Sequence, residues 1–398
     1  MEKFEWRQLI TTNILKLKII GLWPEGESYK PNLYTLWATI SLTIFICGHN
    51  FFQALNIIFN LDDLQTLMAT SFVTLSTLIA IMKAYYVIRN MEILKKLMET
   101  LNSDLFQPKN AKQITMIQPS LKFWKINYVM CWTMACGAIF FWSTYPILDN
   151  SVKEYRLPFL AWYPYDTKIS PYYEITYIYQ ILGIIFVAIT AISVDTLIAA
   201  LNVYIGAQFD ILCDDIKHLY DILTDTNKKL LNCISHHREI LKFAENTNNF
   251  FNWIVFFQFF ISATTIGVTM FQLTMVVPLS NEFFSLVTFG MAILVEIFMY
   301  CWFGNEVELK SRKISYAAFE SDWLNISMEV KKKMVFFILR SQTPLKMSAL
   351  NLFYLSLDTF MRVNFDNYFH YGCHCSKFQI LRTAWSYFAL LQQMGSRK

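Results

Sequence analysis

The stretch that decides the fold is Pro344–Met394, which reads PLKMSALNLFYLSLDTFMR, then VNFDNYFHYGCHCSKFQ, then ILRTAWSYFALLQQM. The first and last pieces carry aliphatic and aromatic residues at helical spacing. Joined directly, Met347–Arg362 and Ile380–Leu391 make 28 residues, about 42 Å of helix, which suits one tilted membrane span. With the middle piece retained, the helix would reach about 67 Å, too long for one span. The stretch therefore predicts a last membrane helix, 347–391, interrupted by an insertion at 363–379.

The composition of the chain is that of a membrane protein with several spans. Of its 398 residues, 55% are hydrophobic and only 16% are charged, whereas soluble proteins carry about 25% charged residues. Apolar segments of spanning length follow one another along the chain. We predict an all-α membrane protein of one domain with seven transmembrane helices, at about 33–59, 65–88, 125–148, 174–205, 250–277, 283–304 and 347–391.

The distribution of Lys and Arg predicts which side of the membrane each end occupies. The N-terminal arm and the connections after the second, fourth and sixth spans carry 24 Lys and Arg, and the other connections carry three. Because cytoplasmic connections are the basic ones, we expect a cytoplasmic N-terminus and, after seven spans, an extracellular C-terminus. Residues 1–20 show no cleavable signal peptide, so the first span is expected to direct insertion into the plasma membrane.

Charged residues inside the predicted spans are candidates for function. Asp195 lies in the inner half of the fourth span and Glu296 in the middle of the sixth. Carboxylates within a membrane are expensive and are functional candidates by default, although a structural hydrogen bond inside the bundle explains them equally well. Lys83 lies near the end of the second span, where we expect it to reach the inner membrane surface.

Motifs for catalysis, phosphate binding and nucleic-acid binding are absent from the sequence. Adjacent side chains on a helix point about 100° apart, so we interpret His236 and His237 as packing positions rather than zinc ligands. Cys373 and Cys375 with His370 look more like a zinc cluster. In structural zinc sites, however, two to four residues separate the paired cysteines and a second Cys pair lies elsewhere in the chain, and both features are missing here. We predict no enzyme, no cofactor, no metal site and no nucleic-acid partner.

Several segments of the chain resemble the insect odorant receptor family, in the family's order and spacing. One segment looks like the family's second outer loop leading into its fourth helix, others like its later cytoplasmic landmarks, and the last like its closing signature. They are LPFLAWYPYDTKISPYYEITYIYQ (Leu157–Gln180), HHREIL (His236–Leu241), FGNEVELKS (Phe303–Ser311), the lone Trp323, LRSQTPLKMSA (Leu339–Ala349), and LSLDTF followed by ILRTAWSYFALLQQ.

The resemblance implies an odorant receptor subunit that forms an odorant-gated, non-selective cation channel with a shared coreceptor in olfactory sensory neuron dendrites. The connection between the fourth and fifth spans has only about 44 residues, shorter than the coreceptor's, which favours the odorant-tuning role. The family assembles as tetramers whose seventh helices line one pore. By alignment, Leu390 and Met394 form the pore gate, with Gln393 beside them. The anchor domain of the family places Trp323, Phe336, Phe337 and Leu339 at subunit interfaces.

The resemblance also implies an odorant pocket in the outer half of each subunit's bundle. A volatile apolar ligand needs a cavity lined mainly by hydrophobic and aromatic groups. Residues of suitable chemistry at outer positions of the second to fifth helices are Met68, Phe72, Phe140, Trp142, Ser143, Tyr177, Ile184 and Met270.

Three other classes of membrane protein fit the sequence less well. A gustatory receptor of the same superfamily is the nearest alternative, and the WYPYD loop and SYFALL close favour the odorant branch. A G-protein-coupled receptor should have an extracellular N-terminus and DRY-like and NPxxY motifs, which this sequence lacks. A secondary transporter should show internal repeats and broken helices, which are not visible either.

The segment 363–379 departs from the family pattern, and we interpret it as a retained intron. Removing it restores an unbroken helix and the pattern TFMRILRTAWSYFALLQQ. Its first two residues, Val-Asn, can be encoded by GTAAAT, like a splice donor, and its last two, Phe-Gln, by TTTCAG, like an acceptor. Its 17 codons preserve the reading frame. The alternative is a genuine extracellular or interfacial loop.

Overall fold

The computed structural model describes residues 3–26, 29–219, 226–321 and 327–361. Within this part of the chain, six helices are long and apolar enough to cross a membrane, and each overlaps one of the first six predicted spans. They are the joined pair α2 (Leu33–Ile40) and α3 (Gly48–Phe59), α4 (Leu64–Arg89), α6 (Ala111–Leu148), α7 (Tyr172–Lys217), α8 (Thr226–Met275) and α9 (Asn281–Glu320). Shorter elements are α1 (Thr11–Ile19), α5 (Met91–Leu101), α10 (Met328–Ser341), β1 (Ser348–Ala349), β2 (Phe353–Tyr354) and α11 (Leu357–Met361), with 3-10 turns at Trp6–Leu9, Asp104–Phe106 and Ser151–Glu154.

The first span contains a π-helical stretch, Ser41–Cys47, that joins α2 to α3. The span begins at an Asn32 cap, whose side chain accepts a hydrogen bond from the backbone N–H of Thr35 at 2.8 Å. Inside the π-helical stretch, the carbonyl of Ile44 accepts a hydrogen bond from the Tyr179 hydroxyl at 2.9 Å. This bond ties the first span to α7, so the wide turn serves packing between helices.

Helix α7 is the centre of the bundle and packs against α4, α6, α8 and α9. Every residue from Ser193 to Phe209 is buried, as expected for a helix that is surrounded by others. At 1.5 Å per residue, the 46 residues of α7 and the 50 residues of α8 reach about 69 and 75 Å. Both helices therefore extend well beyond a hydrocarbon core of about 30 Å, into the region predicted to be cytoplasmic.

The N-terminal arm packs into this extension. The indole N–H of Trp6 donates to the carbonyl of Phe106 at 3.2 Å, and the Tyr204 hydroxyl of α7 donates to the carbonyl of Trp6 at 2.8 Å. Ile10 and Leu17 are fully buried in the same core. The arm is thus an integral part of the protein interior.

The structure corrects the predicted start of the seventh span. Helix was expected from 347, but Ser348–Tyr354 form a two-stranded antiparallel hairpin and the helix begins at Leu357. Leu350 and Asn351 turn the chain with φ of 50° and 56°, a left-handed conformation that Asn tolerates. The hairpin is fixed to α8 because Asn248 Oδ1 accepts a hydrogen bond from the Ser348 N–H at 2.9 Å. The rest of the predicted span, including 363–379, lies outside the described residues.

Candidate ligand-binding site

A cavity of about 180 Å³ lies inside the bundle between α4, α6, α7, α8 and α9. Its wall is mainly aliphatic and aromatic, and its ionisable groups lie toward the end of each helix that is predicted to face the cytoplasm. A mostly apolar cavity with a few convergent polar groups is typical of small-molecule sites. The apolar lining includes Ile79, Ala138, Ile139, Trp142, Ile184, Val187, Ile261, Phe289 and Ile293, and the polar lining includes Lys83, Asp195, Gln258, Ser262 and Glu296.

An aromatic cluster separates this cavity from a smaller one of about 100 Å³, and Trp142 lines both. The Trp142 ring packs against Phe289 at 5.3 Å, Phe159 at 5.4 Å and Phe72 at 5.8 Å between ring centroids. These rings lie at the boundary between the two cavities, because Phe289 borders the main one, Phe72 and Phe159 border the smaller one, and Trp142 borders both. The smaller cavity lies beyond them, toward the loop 149–171.

The loop 149–171, which is predicted to be extracellular, lies against α7 at the smaller cavity. Residues 156–160 line the smaller cavity. Gln180 of α7 holds the loop by two hydrogen bonds: its Oε1 accepts from the Phe159 N–H at 3.0 Å, and its Nε2 donates to the Phe159 carbonyl at 2.9 Å. The Tyr173 hydroxyl also donates to the Arg156 carbonyl, at 2.8 Å. The loop is therefore fastened over the cavities by backbone contacts, which do not depend on its side chains.

An ion triad forms the polar end of the main cavity. Lys83 Nζ lies 2.6 Å from Asp195 Oδ1 and 2.8 Å from Glu296 Oε1. The Tyr300 hydroxyl donates to the same Asp195 oxygen at 2.5 Å. The Lys83 side chain has no exposed surface, and the Glu296 side chain is 21% exposed. Three helices, α4, α7 and α9, are thus joined by charge inside the bundle.

The sequence matches the family model described as 7tm Odorant receptor over residues 63–364. This match spans about three quarters of the chain and includes every residue that lines the main cavity.

The chain belongs to the 7tm odorant receptor family.

Relatives of this odorant receptor extend over its whole length. Odorant receptor Or1 of Anopheles gambiae is 24% identical, over 99% of this chain and 97% of that protein. Odorant receptor 46a, isoform A, of Drosophila melanogaster is 20% identical, over 96% of both. The solved structure of the insect olfactory receptor OR5 from Machilis hrabei in complex with eugenol superposes with a TM-score of 0.83, at 19% identity and 98% coverage of both chains. The odorant receptor is therefore a multi-pass membrane protein with the same fold.

Three of the eight predicted pocket residues line the cavities of the odorant receptor. Trp142 borders both cavities, Ile184 the main one and Phe72 the smaller one. Met68 is buried in a hydrophobic cluster that also contains Phe72 and Ile184. Ser143 and Tyr177 instead join two helices, because the Tyr177 hydroxyl donates to the Ser143 carbonyl at 2.6 Å.

Phe140 and Met270 are not among the residues that line the two cavities. Phe140 is 61% exposed on the outer face of α6. Residues two apart on a helix point about 200° apart, so Phe140 and Trp142 cannot both face the bundle interior. Met270 is half-buried and packs against the main hydrophobic core of the bundle, which includes the buried residues of α7.

The expectation for Lys83 was wrong, and the one for Asp195 and Glu296 was incomplete. Lys83 does not reach the inner membrane surface, because it is completely buried and bonded to both carboxylates. Sequence reasoning also missed Gln258 and Phe289 as lining residues. The available signal was the coincidence of one cation and two carboxylates in three spans, since buried charges in membranes pair with one another.

Residues predicted for the anchor lie on different faces of α10. Phe336 is 72% exposed and Leu339 is 56% exposed, so both are free to contact another chain. Phe337 is buried, and its ring meets the ring of His237 edge-on at 5.4 Å. It therefore packs within its own subunit. Trp323 and the predicted gate residues Leu390, Gln393 and Met394 lie outside the described residues.

The adjacent histidines are both buried in the extension of α8. His236 Nε2 lies 3.0 Å from Gln208 Oε1 of α7. The His237 ring packs against Phe337. Both histidines thus contact α7, since the His237 ring also packs against Phe209 at 6.4 Å between centroids, and His237 contacts α10 as well.

Proposed function

We propose that this odorant receptor is the odorant-tuning subunit of an odorant-gated, non-selective cation channel that it forms with a coreceptor in the plasma membrane. The main cavity carries this proposal. It is lined by residues of five helices, most of them apolar, and the aromatic cluster and the loop held by Gln180 lie toward its predicted outer side.

The size and lining of the main cavity suit a small volatile molecule. A cavity of about 150 Å³ lined by aliphatic and aromatic residues is sufficient to bind benzene, and the main cavity measures about 180 Å³. Transfer of apolar surface into this cavity supplies the affinity, and the few polar groups supply the orientation. The olfactory receptor OR5 from Machilis hrabei, which shares this fold, was solved in complex with eugenol, a small aromatic molecule.

The predicted orientation of the chain in the membrane supports the same role. The count of 24 Lys and Arg against three favours a cytoplasmic N-terminus. In that orientation, the loop 149–171 and the smaller cavity face the exterior, where an odorant arrives. The long extensions of α7, α8 and α9 then gather in the cytoplasm.

The cytoplasmic extension offers an apolar surface for the partner subunits. Tyr316 and Phe319 of α9 are 68% and 55% exposed, and Phe336 and Leu339 of α10 are also exposed. Helices α9 and α10 pack against each other, and exposed apolar patches mark contact sites between proteins. We assign this surface to the coreceptor interface, with Trp323 as a further member. The pore gate is assigned to Leu390, Gln393 and Met394.

Recording from cells that express the full chain together with an odorant coreceptor tests the proposed function. An odorant panel is expected to include ligands that evoke an inward, non-selective cation current which the coreceptor alone does not give. The chain expressed without the coreceptor is the control, and we expect no current from it. Surface-expressed complexes that respond to no small apolar volatile would contradict the proposal.

A further inference from the structure

The negative and positive side chains that line the main cavity are unequal in number. Its described lining residues include two carboxylates, Asp195 and Glu296, but Lys83 is the one cation among them. In a membrane interior, an uncompensated carboxylate is costly. The polar end of the cavity is therefore stabilised by either a proton or a cationic group that enters with a ligand.

The two carboxylates differ in their access to the cavity. Asp195 Oδ1 receives hydrogen bonds from both Lys83 and Tyr300, and its side chain is 5% exposed. The Glu296 side chain retains 21% exposure and lines the cavity. Glu296 is consequently the carboxylate that a ligand can reach without breaking the Lys83–Asp195 pair.

A second acceptor lines the same cavity. Gln258 is 3% exposed, and its Oε1 has no hydrogen-bond partner among the described residues. Its Nε2 donates to Ser262 Oγ at 2.9 Å, which fixes the orientation of the amide. Leaving a buried acceptor without a partner costs more free energy than a typical hydrogen bond contributes to stability. This amide oxygen is therefore free to accept a hydrogen bond from a ligand.

We propose that the main cavity selects small apolar amines, whose ammonium group binds Glu296 and Gln258 while the hydrocarbon body packs against the apolar wall. An ammonium has three donors and a positive charge, so it satisfies both acceptors and balances the second carboxylate. An alcohol of the same shape brings one donor and no charge, and a hydrocarbon brings neither. The inference rests on the proposed function, because it takes this cavity to be the odorant site.

The cavity predicts an order of affinities for three molecules that share one ring. Benzylamine is protonated at neutral pH, benzyl alcohol is a neutral donor, and toluene has no polar group. Because hydrogen bonds to charged groups are about twice as strong as neutral ones, we expect benzylamine to bind about tenfold more tightly than benzyl alcohol, and toluene to bind most weakly.

The test is the ligand-induced rise in melting temperature of the purified full chain in lipid nanodiscs, measured against the concentration of each molecule. Glu296→Gln keeps the shape of the site and leaves Lys83 paired with Asp195, so it is expected to fold. In this variant, the affinity for benzylamine should fall about tenfold, and those for benzyl alcohol and toluene should stay within about twofold. Glu306→Gln, which removes a carboxylate of α9 that is not part of this cavity, should change none of the three.

Four results separate the possible failures. Equal affinities for the three molecules, or an unchanged preference for benzylamine in Glu296→Gln, overturn the amine assignment and leave the cavity intact as the odorant site. Binding of none of the three to the wild type overturns the proposed site itself. If Glu296→Gln does not fold, Gln258→Leu replaces it, because it should weaken benzylamine more than toluene. An equal effect of Gln258→Leu on both molecules overturns the assignment.

Discussion

Replacing Lys83 with methionine is expected to destabilise the fold strongly. The Lys83 side chain is completely buried and lies within 2.8 Å of both Asp195 and Glu296. Methionine has a similar length but no charge, so the exchange leaves two buried carboxylates close together without a cation. Removing one partner of a buried ion pair costs about 3–5 kcal/mol, most of it the penalty of the charge left behind.

Thermal unfolding of the purified protein in detergent measures this effect. The matched control is Lys332→Met, an exposed lysine of α10, for which we expect a change within about 0.5 kcal/mol. In the triple variant, Asp195→Asn and Glu296→Gln are added to Lys83→Met. It should regain most of the lost stability, because a neutral site no longer holds unpaired charge. A Lys83→Met protein as stable as the control, or a triple variant no more stable than Lys83→Met, would refute the buried triad.

Three further predictions concern the C-terminal part of the chain. A C-terminal epitope should be accessible to antibody on intact cells, and staining only after permeabilisation would reverse the proposed orientation. Leu390→Ala and Met394→Ala, made without the segment 363–379, should alter current or ion selectivity, because a hydrophobic constriction closes by dewetting; unchanged conductance, selectivity and leak would remove the gate assignment. Sequencing of transcripts should show a dominant messenger without the 51 nucleotides that encode 363–379, and a dominant messenger that keeps them would exclude the intron.

The membrane spans were predictable because length and hydropathy suffice to identify them. The helix from Tyr172 to Lys217 contains the whole predicted span 174–205. The hairpin at Ser348–Tyr354 was not predictable in this way. Its apolar residues fit helical spacing, whereas Leu350 and Asn351 adopt left-handed backbone angles that a hydrophobic pattern does not encode.

The sequence predicted the chemical character of the cavity lining, but it identified only some of the lining residues. Outer positions of suitable type included Trp142 but also Phe140, and the choice between them depends on the rotation of α6 about its axis. The triad and its hydrogen bond from Tyr300 depend on contacts between residues more than 100 positions apart in sequence: Tyr300 to Asp195 is 105 positions and Lys83 to Glu296 is 213. A single sequence shows that charges must pair in the membrane, but it does not show which helices are neighbours.

If the main cavity is the site at which an odorant opens the channel, filling it must block the response. Ala138 is 9% exposed and lines this cavity, so Ala138→Phe places a ring in the space that the ligand needs. Ile126→Phe, at a 64% exposed position of the same helix, adds a ring on the outer face and is the control.

The decisive measurement is the odorant-evoked current of both variants, co-expressed with a coreceptor at matched surface levels. We predict that Ala138→Phe abolishes the response to small odorants at concentrations that saturate the wild type, and that Ile126→Phe responds like the wild type. Unchanged sensitivity in Ala138→Phe would contradict this role of the cavity.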